Sequence, residues 1–256
     1  GEYFYFDVPI ADVSLDYYLK VGTKWGQDYE PDPYTISTTF TQGIDGYETE
    51  FNNTAADADS VISGDPITGV TSTEHDDDWY VFDASAPGLL SVDLSSTIHP
   101  SDAGSDHFNI TVYDSDQTPL SSMRGNGVAS VDGPISFTVA APTSGLYYIV
   151  VEDSYSHTTD PYDLTVNFTE GSLTSFTEDY ETEKNHFIDD NGYYPTSADA
   201  LTIGKDMKGS LYDQHDADYY KLDVTEQGVI SFTFHSLGYN PSGADKFELN
   251  LYDSNS

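Results

Sequence analysis

Glu48, Glu50 and Asn52 stand at alternate positions in "YETEFN" (47–52), and Asp76 and Asp78 do the same in "HDDDWYVFD" (75–83). In an extended chain residues i, i+2 and i+4 point to one side, so each segment presents its oxygens on one face. Where the two segments converge, four carboxylates meet with no Lys or Arg near them in sequence. Such a cluster repels itself unless a cation sits in it. Ca2+ suits it, because it takes about 6–8 oxygen ligands from carboxylates, amide carbonyls and water. The set is written a second time, as Glu181, Glu183 and Asn185 in "YETEKN" (180–185) and Asp216 and Asp218 in "HDADYYKLD" (215–223). An isolated D-x-D in an acidic chain is ordinarily a solvated face. Recurrence in register is what points to metal.

The register extends well beyond the acids. Ala58, Asp59, Gly64 and Gly69 meet Ala198, Asp199, Gly204 and Gly209, and Gly88 and Ser91 meet Gly228 and Ser231. "DHFNITVYDS" (106–115) faces "DKFELNLYDS" (245–254). The first residues match the other end of the unit: "FDV" (6–8) with "FTV" (137–139), "YYLKV" (17–21) with "YYIVV" (147–151), and "DPYTISTTF" (32–40) with "DPYDLTVNF" (160–168). Internal repeats govern the fold assignment. Residues 1–46 read as the C-terminal part of one repeat, 47–178 as a complete repeat and 179–256 as the N-terminal part of the next. The sequence is expected to be an excerpt of a longer array. The other reading is a protomer completed head to tail by the next copy.

Within each repeat apolar residues alternate rather than recur at helical spacing. Leu90, Val92 and Leu94 alternate with Leu89, Ser91 and Asp93, and Ile230, Phe232 and Phe234 keep their phase. Phe108, Ile110 and Val112 share one face, and Tyr162, Leu164, Val166 and Phe168 another. Lys20 takes the position of Val150, which marks an outer face. Turn residues such as "SAPG", "DPITG" and "GNG" separate the runs. About 130 residues of short strands with one-sided alternation predict an all-β fold, tandem antiparallel β-sandwich repeats with two sheets face to face.

The order of these motifs carries a resemblance. E-x-E-x-N, a glycine-spaced stretch, D-x-D-[WY]-Y, then "G-L-Y-Y-I-V-V" (145–151) and a closing "Y-D-L-T-V" strand (162–166) resemble the bacterial pre-peptidase C-terminal domain family, which includes the collagen-binding domains of clostridial collagenases. The resemblance spans the middle repeat and both partial ones. It implies a jelly-roll-like sandwich with calcium held by the acidic segment and the D-x-D strand. The ligands it implies are Glu48, Glu50, Asn52, Asp76 and Asp78, and Glu181, Glu183, Asn185, Asp216 and Asp218. Asn53 matches a further position that is often polar and ligating in the family, which adds it to the implied metal ligands, whereas His186 stands there in the third repeat.

The remaining chemistry is sparse. His75 and His215 match across repeats beside Asp76 and Asp216, but no matched nucleophile, H-E-x-x-H or G-x-S-x-G accompanies them. They read as strand-start histidines capping backbone groups. The pairs Tyr17–Tyr18, Tyr147–Tyr148 and Tyr219–Tyr220 should each put one ring inward and one outward, chiefly shielding a sheet face. Trp25 is the best single candidate for an exposed binding ring. Sequons occur at Asn52, Asn109 and Asn167; the last two lie on outward strand positions suited to glycans, and Asn52 is read as a ligand. No catalytic residue and no cofactor other than Ca2+ is expected.

Composition sets the surroundings. The 45 acids against 8 bases give a formal charge of −37, which opposes nucleic acid and anionic membrane as partners. So much charge needs cations to screen it, as outside a cell or in a salty medium. The 21 Tyr, 13 Phe and 2 Trp oppose disorder. With no Cys there is no disulfide, and no run of about 18 apolar residues spans a membrane. Gly1 fits a processed or excerpted chain. These features predict a non-enzymatic extracellular or cell-surface filament, stalk or adhesin shaft whose partners are copies of itself or neighbouring repeats. Polysaccharide or surface glycans are the partners of the alternative, an accessory module of a secreted hydrolase gripping polysaccharide or collagen.

Overall fold

The structure, a computed structural model, describes residues 17–19, 21, 34–40, 46–71, 76–96, 106–128, 133–154, 158, 160–182, 198–211, 216–236 and 247–251. The central repeat is a β-sandwich. Its strands are β1 (Asp59–Ser60), β2 (Pro66–Gly69), β3 (Asp78–Ala84), β4 (Gly88–Ser96), β5 (Phe108–Tyr113), β6 (Pro119–Gly125), β7 (Ile135–Ala141), β8 (Gly145–Asp153) and β9 (Tyr162–Glu170). One sheet has the order β1-β3-β8-β5-β6 and the other β2-β9-β4-β7. All pairs are antiparallel except β1 with β3, a departure from the purely antiparallel expectation. Two-residue β1 runs beside β3 because the acidic segment must be led back to the start of that strand.

The alternation read from the sequence is the core. Leu90, Val92, Leu94, Phe108, Ile110, Val112, Tyr162, Leu164 and Val166 are buried together between the sheets, with Tyr80, Tyr147, Ile149 and Val151 opposite. Transfer of such side chains from water stabilises by about 1.5–3 kcal/mol each. Tyr147 points in and Tyr148 out, as expected of the pair. Apolar positions on the other faces are buried too: Leu89 with its partner Ala140, and Val150, which pairs with Trp79.

Past β9 a single 3-10 turn at Leu173–Ser175 leads to β10 (Asp179–Tyr180), β11 (Asp199–Ala200), β12 (Met207–Lys208) and β13 (Tyr220–Lys221). β10 pairs with β12 and β11 with β13, both parallel. These pairings reproduce the Tyr47–Thr68 bridge and the β1–β3 pair of the central repeat. The register then stops producing strands. Residues 229–236 and 247–251 keep the apolar alternation but form no strand, and neither do 17–19 and 34–40. Each of these stretches lacks, among the described residues, the strand that covers its counterpart in the central sandwich.

Candidate metal site

The acidic segment enters the sandwich beside β2 and turns its side chains the unusual way. Glu48, Glu50 and Asn52 are buried, while Tyr47 and Phe51 are exposed. The backbone is pinned by Glu48 N donating to Thr68 O (3.0 Å) and Thr68 N to Gly46 O (2.7 Å). Asn52 O accepts from Trp79 N (3.1 Å), which brings the segment against the first turn of β3. Asp78 opens β3 with its side chain inward, and Asp76 is buried next to it. One carboxylate oxygen from each of Glu48, Glu50 and Asp78 lies within 4.8 Å of the others. Three of the four carboxylates expected to converge are thus gathered in the first copy, and Asp76 is outside that set. Asn53, by contrast, is exposed.

Two tyrosines wall the site. Val70 N donates to Glu48 Oε1 (2.6 Å) and Tyr80 OH to Glu48 Oε2 (2.6 Å). Tyr162 OH donates to Asp78 Oδ2 (2.5 Å) and its oxygen lies 2.7 Å from Tyr80 OH. Gly69 makes this possible, since a Cβ there would press into the Tyr162 ring and the Tyr80 hydroxyl. Thr49 N donates to Asp59 Oδ2 (2.5 Å), so Asp59 braces the acidic loop from β1. Sequence reasoning passed over Asp59, Tyr80 and Tyr162. The matched pair Asp59 and Asp199 was a usable signal for the first.

The electrostatics are those of a site awaiting positive charge. Burial raises Glu48 to about 7 and Glu50 to about 8, with Asp76 adding to both. Burial, then the Glu48 charge, pushes Asp78 well up. Protonation would satisfy part of this cluster but not all of it. Among the described residues, neither oxygen of Glu50 has a hydrogen-bond partner, nor do Asn52 Oδ1 and Asp78 Oδ1. Buried polar atoms without partners are rare and costly. An all-oxygen donor set with several unfilled lone pairs fits a hard cation that accepts many oxygens.

The second copy repeats the scaffold. Glu181 N donates to Lys208 O (3.0 Å), Ser210 N to Glu181 Oε1, and Tyr220 OH to Glu181 Oε2 (2.7 Å). Thr182 N donates to Asp199 Oδ2 (2.5 Å). Burial raises Glu181 to about 8 and Asp218 to about 6. Asp216 is buried too. Glu183, Asn185, His186 and His215 lie outside the described residues, as do His75 and Trp25 in the preceding parts of the chain.

A β-sandwich that closes one end on a buried set of carboxylates defines the class: an all-β module with an acidic end pocket. Within that class, residues 76–153 match the family model described as the bacterial pre-peptidase C-terminal domain. Among solved structures the chain is similar to the pre-peptidase C-terminal domain of collagenase from Bacillus anthracis, at 17% identity over 43% of this chain and 94% of that one (TM-score 0.35). It is also similar to the K3 cleaved adhesin domain of Lys-gingipain from Porphyromonas gingivalis (13%, 41% and 74%; TM-score 0.28) and to a fucose binding module from Streptococcus pneumoniae (15%, 42% and 72%; TM-score 0.25). No curated protein matches the chain. No helix among the described residues is long and apolar enough to cross a membrane.

Proposed function

We propose that the chain is a non-enzymatic structural repeat protein of the cell exterior, a shaft or stalk whose junctions are stiffened by calcium. Glu48, Glu50, Asn52, Asp76 and Asp78 would hold one ion. Glu181, Asp216 and Asp218 would hold another, with Glu183 and Asn185 as further donors. The observation that carries this reading is Glu50, a buried carboxylate whose two oxygens have no partner among the described residues. The ion's part is neutralisation: it lets carboxylates that repel one another stay ionised side by side. The chain's part is placement. The second site begins 11 residues after β9 ends at Glu170 (181 − 170), and Ser210 Oγ beside it meets Ser121 Oγ of β6 at 2.7 Å. Ordering that loop therefore orders the joint between successive sandwiches.

The test is calcium titration of the chain by calorimetry, alongside thermal unfolding with and without chelator. Binding that is abolished at the first site by Asp78→Asn, with a melting midpoint that rises on adding calcium, is expected. A midpoint indifferent to calcium and chelator defeats the reading.

A second reading rests on Trp79, Tyr113 and Tyr148, which gather on the outer face of the β1-β3-β8-β5-β6 sheet. Trp79 stacks on Tyr113 (centroids 5.7 Å, 14°) and meets Tyr148 edge-on (5.9 Å, 64°). Such a surface suits sugar rings or an extended peptide, as an accessory module would use. Saturable retention on insoluble glycan or collagen, lost on Trp79→Ala, would favour it over the shaft.

A further inference from the structure

The two outer faces of the central sandwich are built differently. On the β2-β9-β4-β7 sheet the outward positions near the middle are Ser91, Asp93, Thr138, Thr165 and Asn167. They are small and polar, with no ring among the described residues. On the β1-β3-β8-β5-β6 sheet the outward positions include Trp79, Tyr148 and Tyr113, from three adjacent strands and all half-buried. This sandwich therefore does not need rings to finish a sheet face. Large aromatic side chains gathered on one face and left partly open mark a contact surface. The trio also recurs in the register of the sequence, with Tyr219 in the place of Trp79, Tyr252 in that of Tyr113 and Tyr18 in that of Tyr148.

A row of polar side chains borders the rings. Across β8, β5 and β6, Glu152 stands opposite Asn109, and Asn109 opposite Arg124. Asn109 Nδ2 donates to Glu152 Oε2 (2.9 Å), while Asn109 Oδ1 accepts from Ser122 Oγ (2.9 Å) and Arg124 Nε (3.4 Å). Tyr113 joins rings to row. Its hydroxyl bonds the Thr111 side chain, and burial, then the Glu152 charge, raises it. A carboxylate, an amide and a guanidinium thus stand in line at strand spacing, about 5 Å apart. Each is held by its neighbour before any ligand arrives, as a preorganised site requires. The row is particular to the central repeat: Gly22 takes the place of Glu152 in the preceding part and Glu248 that of Asn109 in the following one.

Two features select the occupant. β8 and β5 have neighbours on both sides, so their backbone N–H and C=O groups are used within the ladder. An extended peptide draws its affinity from unpaired ladder groups at a sheet edge, and the middle of this face has none to give. A pyranose needs no backbone. Its C–H face covers an aromatic ring, and its hydroxyls lie in plane to meet a carboxylate, an amide and a guanidinium. Charge then narrows the sugar. Asp77 and Glu152 stand beside the rings with Arg124 as the row's single cation, in a chain of −37, so uronic acid and sulfate groups are repelled.

We propose that the outer face of β3, β8 and β5 binds a neutral glycan, with a pyranose stacked on Trp79 and Tyr113 and its hydroxyls, or those of the next sugar, held by Glu152, Asn109 and Arg124. This rests on the second reading above, that the aromatic face is a binding surface. It adds the class of ligand and the residues that select it, and it is independent of the calcium sites.

The test uses the 256-residue chain in calcium at physiological salt. The chain has two tryptophans, so Trp25→Phe leaves Trp79 as the sole fluorescent indole; the parent chain is titrated alongside by calorimetry. The probes are cellohexaose, mannohexaose and N-acetylchitohexaose, with hexagalacturonate as the anionic sugar and a triple-helical collagen peptide as the polypeptide. A saturable change in Trp79 emission with at least one neutral sugar, and none with hexagalacturonate, is expected. Glu152→Gln should weaken that binding about tenfold, the worth of one hydrogen bond to a charged group. Trp79→Ala should abolish it in calorimetry, and an unchanged melting midpoint of each variant verifies folding. Silence toward all three neutral sugars overturns the proposal, as does equal binding of hexagalacturonate or full affinity in Glu152→Gln. If the collagen peptide alone shifts Trp79 emission, the glycan assignment fails and the binding face stands. If no probe does, the binding face fails with it.

Discussion

The two acidic sites share a scaffold and differ in their lid. At the first, Glu48 bonds Tyr80, and Tyr162 from β9 reaches over to hold Asp78. At the second, Glu181 bonds Tyr220 in the same way, and no described residue plays the part of Tyr162. The first pocket is consequently sealed, with Glu48, Asp78, Tyr80 and Tyr162 all buried, while Asp218 and Tyr220 are half-buried. The acids define the charge of the pocket. The strand that arrives last, more than 80 residues after Asp78, determines how dry it is.

The largest effect should come from removing calcium, and it should fall on the first site. Withdrawal of an ion held at 100- to 1,000-fold its dissociation constant costs about 3–4 kcal/mol. The loss depends on pH with a definite sign. Glu48 and Glu50 have folded pKa values raised from 4.5 to about 7 and about 8. A group raised on folding contributes stability that is full below its unfolded pKa and is lost as pH rises through the folded value. The calcium-free sandwich should thus weaken steadily from about pH 5 to pH 8, and the calcium-loaded one should not. Melting curves at pH 5 and pH 8, with calcium and with chelator, check this. A calcium-free midpoint that rises over that range would contradict the assignment of the raised groups.

Next comes the space beside the lid. Gly69→Ala should cost about 2–3 kcal/mol, because its Cβ drives the Tyr162 ring away from a packed core. Gly209→Ala should cost under about 1 kcal/mol, since the nearest groups it meets are the end of the Glu181 side chain and the half-buried Tyr220 hydroxyl, which have more room to shift. Equal costs would mean that the glycines serve the acidic loop and not the tyrosine.

Much of this contrast was legible in the sequence, and the part that was not has a physical reason. Alternation placed Glu48, Glu50 and Asn52 on one face, and the matched D-x-D strand placed Asp78 opposite them. Alternation could not distinguish a phenol from a phenyl ring, so Tyr80 and Tyr162 read as core residues when their hydroxyls also complete the acid cluster. Asp59 was visible as a matched residue, but its role comes from a two-residue parallel strand that no periodicity announces. Asn109 reads as an outward sequon. Its amide instead donates to Glu152 (2.9 Å), and its oxygen accepts from Ser122 (2.9 Å). Asn167 is exposed, as a glycan acceptor requires. In the flanking parts the phase of the strands was readable, but their formation was not, because a strand needs a neighbour that its own sequence does not contain.

Glu50→Gln sharpens the comparison through a change of sign. Without calcium it removes a buried charge that has no partner, and should stabilise by about 1–2 kcal/mol at pH 8. With calcium it removes a ligand, and should destabilise by a similar amount. A substitution that destabilises under both conditions would show Glu50 held by contacts other than an ion.

The finest test compares one hydrogen bond in two surroundings. Tyr80 OH reaches Glu48 at 2.6 Å, and Tyr220 OH reaches Glu181 at 2.7 Å. Removing either hydroxyl takes the same donor from the same kind of acceptor, so any difference reports the dryness of the pocket. Hydrogen bonds to charged groups contribute about 1.5–3 kcal/mol when shielded and less when water can replace them. In calcium, Tyr80→Phe should therefore cost about 1.5 kcal/mol and Tyr220→Phe about 0.5 kcal/mol. Global melting of the central sandwich reads the first, and hydrogen exchange at the Ser210 amide reads the second. Equal costs would mean that the second pocket is as dry as the first and that the Tyr162 lid makes no difference.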